Sequence, residues 1–205
     1  MIFTYDITTI AILLPILLFS LAFHEFAHAW AAYKLGDQTA KHLGRLTLNP
    51  VPHIDMFGAL MVLFVGFGWA KPVPVNSRNL KRPNIDMVKI ALAGPGSNLL
   101  LALIGGFLAQ SLNIIPLQNA LYVFTKINVA LAIFNLIPLA PLDGSQIISA
   151  FLSKYKPSWL HYLHSYSSKI LFGAIILGAV SNFSPIWWLI GPIVKRLTLL
   201  FLGHQ

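Results

Sequence analysis

Cysteine is absent from this 205-residue chain, which excludes disulfides, thiolate metal ligands and a cysteine nucleophile. Glutamate occurs once, as Glu25, so any chemistry that needs two glutamates is excluded as well. Charge is scarce: charged residues make up 10% of the chain, against about 25% in a typical soluble domain. That leaves too little polar surface to coat a soluble particle. No hydrophilic stretch is long enough to form a separate soluble domain, so residues 1–205 read as one unit.

What the chain does have is apolar sequence in long runs, 57% of it hydrophobic. An integral membrane protein surrounded by lipid bilayer follows. The net charge of +8 does not indicate a nucleic-acid partner. The basic residues sit in short clusters between apolar runs, as in cytoplasmic loops, and no aromatic–basic stripe accompanies them. The first six residues carry no basic region and no small-residue cleavage site follows. A retained helix is therefore expected from Ile7 onward.

The first apolar run, Ile7 to Tyr33, ends before Lys34, Lys41 and Arg45, which places its C-terminal end on the cytoplasmic side. The second, Ile54 to Phe67, is too short for a span of about 20 residues and is basic on both flanks. A re-entrant segment is expected there, with 68–76 as extended strand or hairpin. Val88 to Leu112 reads as a span loosened at Gly94-Pro-Gly-Ser-Asn98. A short outer loop follows, around 113–118. A return span covers 121–152, broken by Asn135-Leu-Ile-Pro138-Leu-Ala-Pro141-Leu-Asp143-Gly144. Lys126 departs from the inside bias and is expected to snorkel outward. Residues 168–183 read as a further span, and 185–202 as a segment that either spans or lies at the interface.

His24 and His28 stand four apart, so on a helix they share one face and can grip one metal ion. Zinc suits them, with Glu25 placed to take a proton from a water that the metal acidifies. A five-residue match alone is weak. Three ionisable side chains in a membrane run are costly, roughly 2.5–3.5 kcal/mol for a centrally placed charge, which argues for a use. With no second glutamate, the third ligand must be an aspartate or another histidine: Asp6, Asp37, Asp55, Asp86, Asp143, His42, His53, His161, His164 or His204. Depth selects among them. At 1.5 Å per helical residue, His28 and His24 lie about 9 and 15 Å before Lys34. Asp143 lies about 16 Å before Lys154, and it alone matches within a spanning segment. The expected ligands are His24, His28 and Asp143, with water fourth.

These motifs resemble the site-2 protease family of intramembrane zinc metalloproteases. The resemblance rests on His24-Glu25-Phe-Ala-His28 and on Asn135-x-x-Pro138-x-x-Pro141-Leu-Asp143-Gly144. Gly94-Pro-Gly-Ser-Asn98, Gly44-Arg-Leu-Thr-Leu-Asn-Pro50, His53-Ile-Asp55 and Gly68-Trp-Ala-Lys-Pro-Val-Pro-Val-Asn76 add to it. It covers roughly residues 20–150 and is to small bacterial members without PDZ or CBS domains. It implies an all-α polytopic fold with a three-helix catalytic core, at about 7–153, and one or two further helices within 165–203. It implies cleavage of transmembrane-helix proteins, either to release signalling proteins or to clear signal-peptide remnants. The bacterial inner membrane is the expected location, with the active site toward the cytoplasm. It also implies that Asn98 contacts substrate backbone, that Asn135 binds substrate or steadies the oxyanion, and that 71–76 pairs with unwound substrate. The alternatives for both asparagines are helix-packing amides. Two other classes compete: a non-catalytic zinc-binding scaffold, against which the intact Glu25 argues, and a metal transporter, against which ligands at one depth argue.

Overall fold

The computed structural model describes residues 6–65, 68–181 and 183–203. Among them the elements are helical: α1 (Ile7–Lys34), α2 (Thr39–His42), α3 (Met56–Val65), α4 (Pro83–Ser111), α5 (Ile115–Asn135), α6 (Asp143–Tyr155), α7 (Pro157–Val180) and α8 (Pro185–Phe201). Four of these, α1, α4, α5 and α7, are long and apolar enough to cross a membrane. The protein is an all-α polytopic membrane protein.

Local chemistry sets the helix ends. Asp6 accepts from Thr9 N at 2.6 Å and caps α1, while Lys34 in its last turn opposes the carbonyl end of the dipole. Asp55 caps the start of α3 by accepting from Gly58 N at 2.8 Å. Prolines stand in the first turn of α4, α5, α7 and α8, where the missing N–H costs nothing.

Within the bilayer the hydrophobic effect does not drive helices together, so close packing must. α4 supplies the small faces. Ala91, Gly94, Ala102, Gly105, Gly106 and Ala109 are buried along it, and α4 packs most extensively on α5 and α1. From α1, Ala22, Ala29 and Ala32 are buried. A second packing centre joins Ala102, Val129, Ile137, Leu142, Leu171, Ile175, Ile190 and Val194. It pins both ends of the break between α5 and α6, because Ile137 and Leu142 belong to it. α8 joins this bundle through Ile190 and Val194, against α4, α5 and α7, instead of lying apart from it.

The 54–70 segment leaves and returns to one place, as a re-entrant segment does. Ile54 forms an antiparallel bridge with Ala70, and Lys71 N donates to His53 O at 2.8 Å. A Cβ on Gly58 would lie 3.0 Å from Trp69 N and closer still to its carbonyl, so glycine is needed where the limbs meet.

One expectation needs correction. Neither the strand nor the hairpin expected at 68–76 forms: the described residues hold this single bridge and no strand, and 71–76 is a strap outside any helix or strand. Pro72 and Pro74 lack the N–H donors that a ladder needs. α4 stays helical through 94–98, with Pro95 inside it. By contrast the 135–144 stretch does interrupt the helix. α5 ends at Asn135, and α6 begins at Asp143.

Candidate metal centre

α1 presents His24, Glu25 and His28 toward α4 and the start of α6. All three are buried, and Asp143 is mostly so, at 19% side-chain exposure. His24 Nε2 lies 3.2 Å from Asp143 Oδ2, and His28 Nε2 lies 3.3 Å from Asp143 Oδ1. The two Nε2 atoms are 3.0 Å apart. Asp143 stands in the first turn of α6, where the helix dipole favours a carboxylate. Gly144 lets the helix start there, since a Cβ would meet Ile137 O at 2.5 Å.

The proton positions follow from acceptors that cannot donate. Asn128 Nδ2 donates to Phe124 O at 2.9 Å, which orients its amide. Asn98 Nδ2 donates to Ser20 O at 3.2 Å and to Asn128 Oδ1 at 2.8 Å, which orients the second amide. Asn98 Oδ1 is then the atom facing His24 Nδ1, at 2.6 Å, so His24 Nδ1 carries the hydrogen. His28 Nδ1 donates to Ile90 O at 2.7 Å by the same logic. In the neutral rings both Nε2 atoms hold lone pairs.

Two lone pairs and a carboxylate therefore converge without a hydrogen between them. Asp143 Oδ2 is buried with no hydrogen-bond donor. Such a cluster is repulsive unless a cation sits among the acceptors. Tetrahedral zinc with ligands near 2.0–2.1 Å spaces its ligand atoms about 3.3 Å apart, close to the separations here. The residues fit the metal.

A glycine makes this approach possible. A Cβ on Gly94 would lie 2.6 Å from His24 Nε2 and closer to His28 Nε2. On the other side, Glu25 Oε2 accepts from Val73 N at 3.1 Å, which brings the strap against the glutamate. Asp37 holds the strap's far end, accepting from Asn76 N at 2.7 Å and Asn79 Nδ2 at 2.8 Å. Burial raises the Asp37 carboxyl, but hydrogen bonds from Thr39, Asn79 and Asn76 outweigh it and hold the group below the usual carboxylate range.

The remaining sequence candidates lie elsewhere. Asp6 and Asp55 cap helices, and Asp86 accepts from Arg82 N at 2.9 Å. His53 is buried between Arg45 and Thr47 O. His42 and His161 are exposed. His204 and the His164 side chain lie outside the described residues. Asn98 is fully buried and its amide is taken up by His24, Ser20 and Asn128. Asn135 turns its amide back to Leu131 O at 3.0 Å on its own helix. Sequence reasoning missed Ser20 and Asn128, and it read Gly94 as a loosening of the helix instead of as clearance for the two imidazoles. Ser20 had a signal, standing one helical step of four before His24 on the same stripe, and Asn128 had one as an amide inside an apolar span.

The fold and this cluster define a helical membrane protein built around side chains that could hold a metal ion. Comparison with known proteins supplies the family. The profile of peptidase family M50 matches residues 108–178. YwhC of Bacillus subtilis, named as a zinc metalloprotease, is 45% identical over 154 residues, covering 70% of each chain. The zinc metalloprotease MJ0392 of Methanocaldococcus jannaschii is 29% identical over 70% of this chain and 35% of its own. Rip2 of Mycolicibacterium smegmatis, also named as a zinc metalloprotease, is 31% identical over 62% of this chain and 52% of its own. No solved structure matches. The chain belongs to peptidase family M50 and is a membrane-integral metalloprotease.

Proposed function

We propose that this chain is an intramembrane zinc protease that hydrolyses peptide bonds within or near transmembrane segments of membrane proteins. His24, His28 and Asp143 hold the zinc, and Glu25 carries the proton. The observation that carries the reading is the buried convergence of two imidazole lone pairs and an unpartnered carboxylate oxygen beside the chain's one glutamate.

Bound zinc supplies Lewis acidity, which acidifies water and polarises a peptide carbonyl. The chain's own residues do the rest. Glu25 takes a proton from the attacking water and passes it to the leaving amine nitrogen. Val73 N–H occupies Oε2, which leaves Oε1 for that proton. Asn98 and Ile90 O hold the two rings in the tautomer that presents Nε2. Between the groups taken by Arg45, Glu25 and Asp37, the strap keeps the Val73 and Pro74 carbonyls and the Val75 backbone to pair with an unwound substrate, and Asn135 contacts substrate once it is seated. The site opens toward the cytoplasm of a bacterial inner membrane, where water is supplied.

The test is Glu25→Gln co-expressed with candidate membrane substrates. Zinc retained with cleavage abolished is the expected result. Persistent cleavage would refute the role of Glu25. Zinc flux into liposomes without cleavage would favour a transporter, and client binding without cleavage by the wild type a scaffold.

A further inference from the structure

Arg45 belongs to a sequence motif that the metal centre leaves unused. It is buried at 6% exposure, and its guanidinium reaches across 26 residues to the strap. Nη2 donates to Lys71 O at 2.5 Å and Nη1 to Pro72 O at 3.3 Å. Nη2 also faces His53 Nδ1 at 3.2 Å, while His53 Nε2 donates to Thr47 O at 2.9 Å. His53 Nε2 thus holds the hydrogen, and Nδ1 is free to accept from Arg45.

We propose that Arg45 is a positioning residue that clamps the carbonyls of Lys71 and Pro72 so that Val73 N–H is aimed at Glu25 Oε2. The clamped carbonyls are the two that immediately precede the Val73 amide. Fixing them fixes the peptide plane that points the N–H at the glutamate. A planar fork bridges two adjacent carbonyls, as a lysine point charge cannot. Stability alone is a poor reason to keep the residue. Burial pulls its guanidinium below the ordinary arginine range, the charge of Glu25 offsetting part of this, and Nε is buried without a partner. Asp37 anchors the other end at Asn76 and Asn79, so the strap is held on both sides of its contact with Glu25.

The inference rests on the reading of Glu25 as the proton carrier, but its test does not. The chain has no cysteine, so one introduced thiol is unique. The full chain carrying Val73→Cys is labelled with a maleimide, with Arg45 intact, Arg45→Gln or Arg45→Lys. Ser167→Cys, buried in α7, reports loosening of the bundle. Arg45→Gln is expected to speed labelling at position 73 about tenfold and leave position 167 unchanged. Arg45→Lys is expected to fall between, at about threefold, and carries the test if Arg45→Gln does not fold. An unchanged rate at 73 in Arg45→Lys, or equal rises at 73 and 167, would overturn the proposal. A Glu25→Gln protein that still cleaved would remove the proposed function and leave the labelling result intact.

Discussion

Gly94 and Gly96 flank one proline on one helix, yet α4 gives them opposite expected responses to alanine. At Gly94 an added Cβ would lie 2.6 Å from His24 Nε2 and nearer to His28 Nε2. The shortfall against ordinary van der Waals contact is about 0.8 Å at His24, and larger at His28. The rings cannot turn away cheaply. Their Nδ1 atoms are tied to Asn98 and Ile90 O at 2.6 and 2.7 Å, so rotation breaks two buried hydrogen bonds. The relief must come from α1 moving off α4, which shifts both imidazoles away from Asp143. A site of this kind tolerates about 0.5 Å of misplacement, and a 1 Å error can cost about 100-fold in rate. Gly94→Ala is therefore expected to purify with little zinc and to lose cleavage by about 100-fold. At Gly96 nothing lies within 4 Å of an added Cβ. Gly96→Ala is expected to keep its zinc and gain about 0.5–1 kcal/mol from reduced backbone entropy in the unfolded chain. Zinc content by mass spectrometry, chelator competition and thermal unfolding compare the pair. Full zinc occupancy with native chelator resistance in Gly94→Ala would refute the steric argument.

Asn128→Leu removes the acceptor that helps hold Asn98, and with it the control of the His24 tautomer. Zinc affinity is expected to fall about 10–100-fold by chelator competition, although position 128 touches no ligand atom. Asp143→Asn is expected to lose zinc while the helical content by circular dichroism stays unchanged, since the packing at Ile137 and Leu142 is apolar. Asp37 is held below the ordinary carboxylate value, so its contribution to stability is complete above about pH 3.8 and is lost as pH falls through the lower folded value. Wild type is accordingly expected to unfold at higher temperature than Asp37→Asn at neutral pH, with the difference shrinking in acid. A difference independent of pH would remove the strap anchor from consideration.

The sequence by itself determined the solvent and the helices, and it pointed to the cluster of His24, His28 and Asp143. Apolar runs without charge can only be lipid-embedded helices, and prolines inside one of them mark where backbone hydrogen bonding fails. A spacing of four puts two imidazoles on one face because the helix repeat is local and invariant. Depth in the bilayer is nearly linear in residue number, so it pointed from His24 and His28 to Asp143, which the fold does bring within 3.2–3.3 Å. Tertiary structure decided everything that depends on which faces meet. Asn98 stands 74 residues from His24 and meets its Nδ1, and Asn128 stands 108 residues from Ser20 and meets its hydroxyl. No local period encodes such pairs. Whether Gly94 loosens a helix or clears space for two rings depends on a neighbour 66 or 70 residues away in sequence. The same holds for the strap, where prolines ruled out a ladder and a buried arginine took over the carbonyls that a strand would have paired.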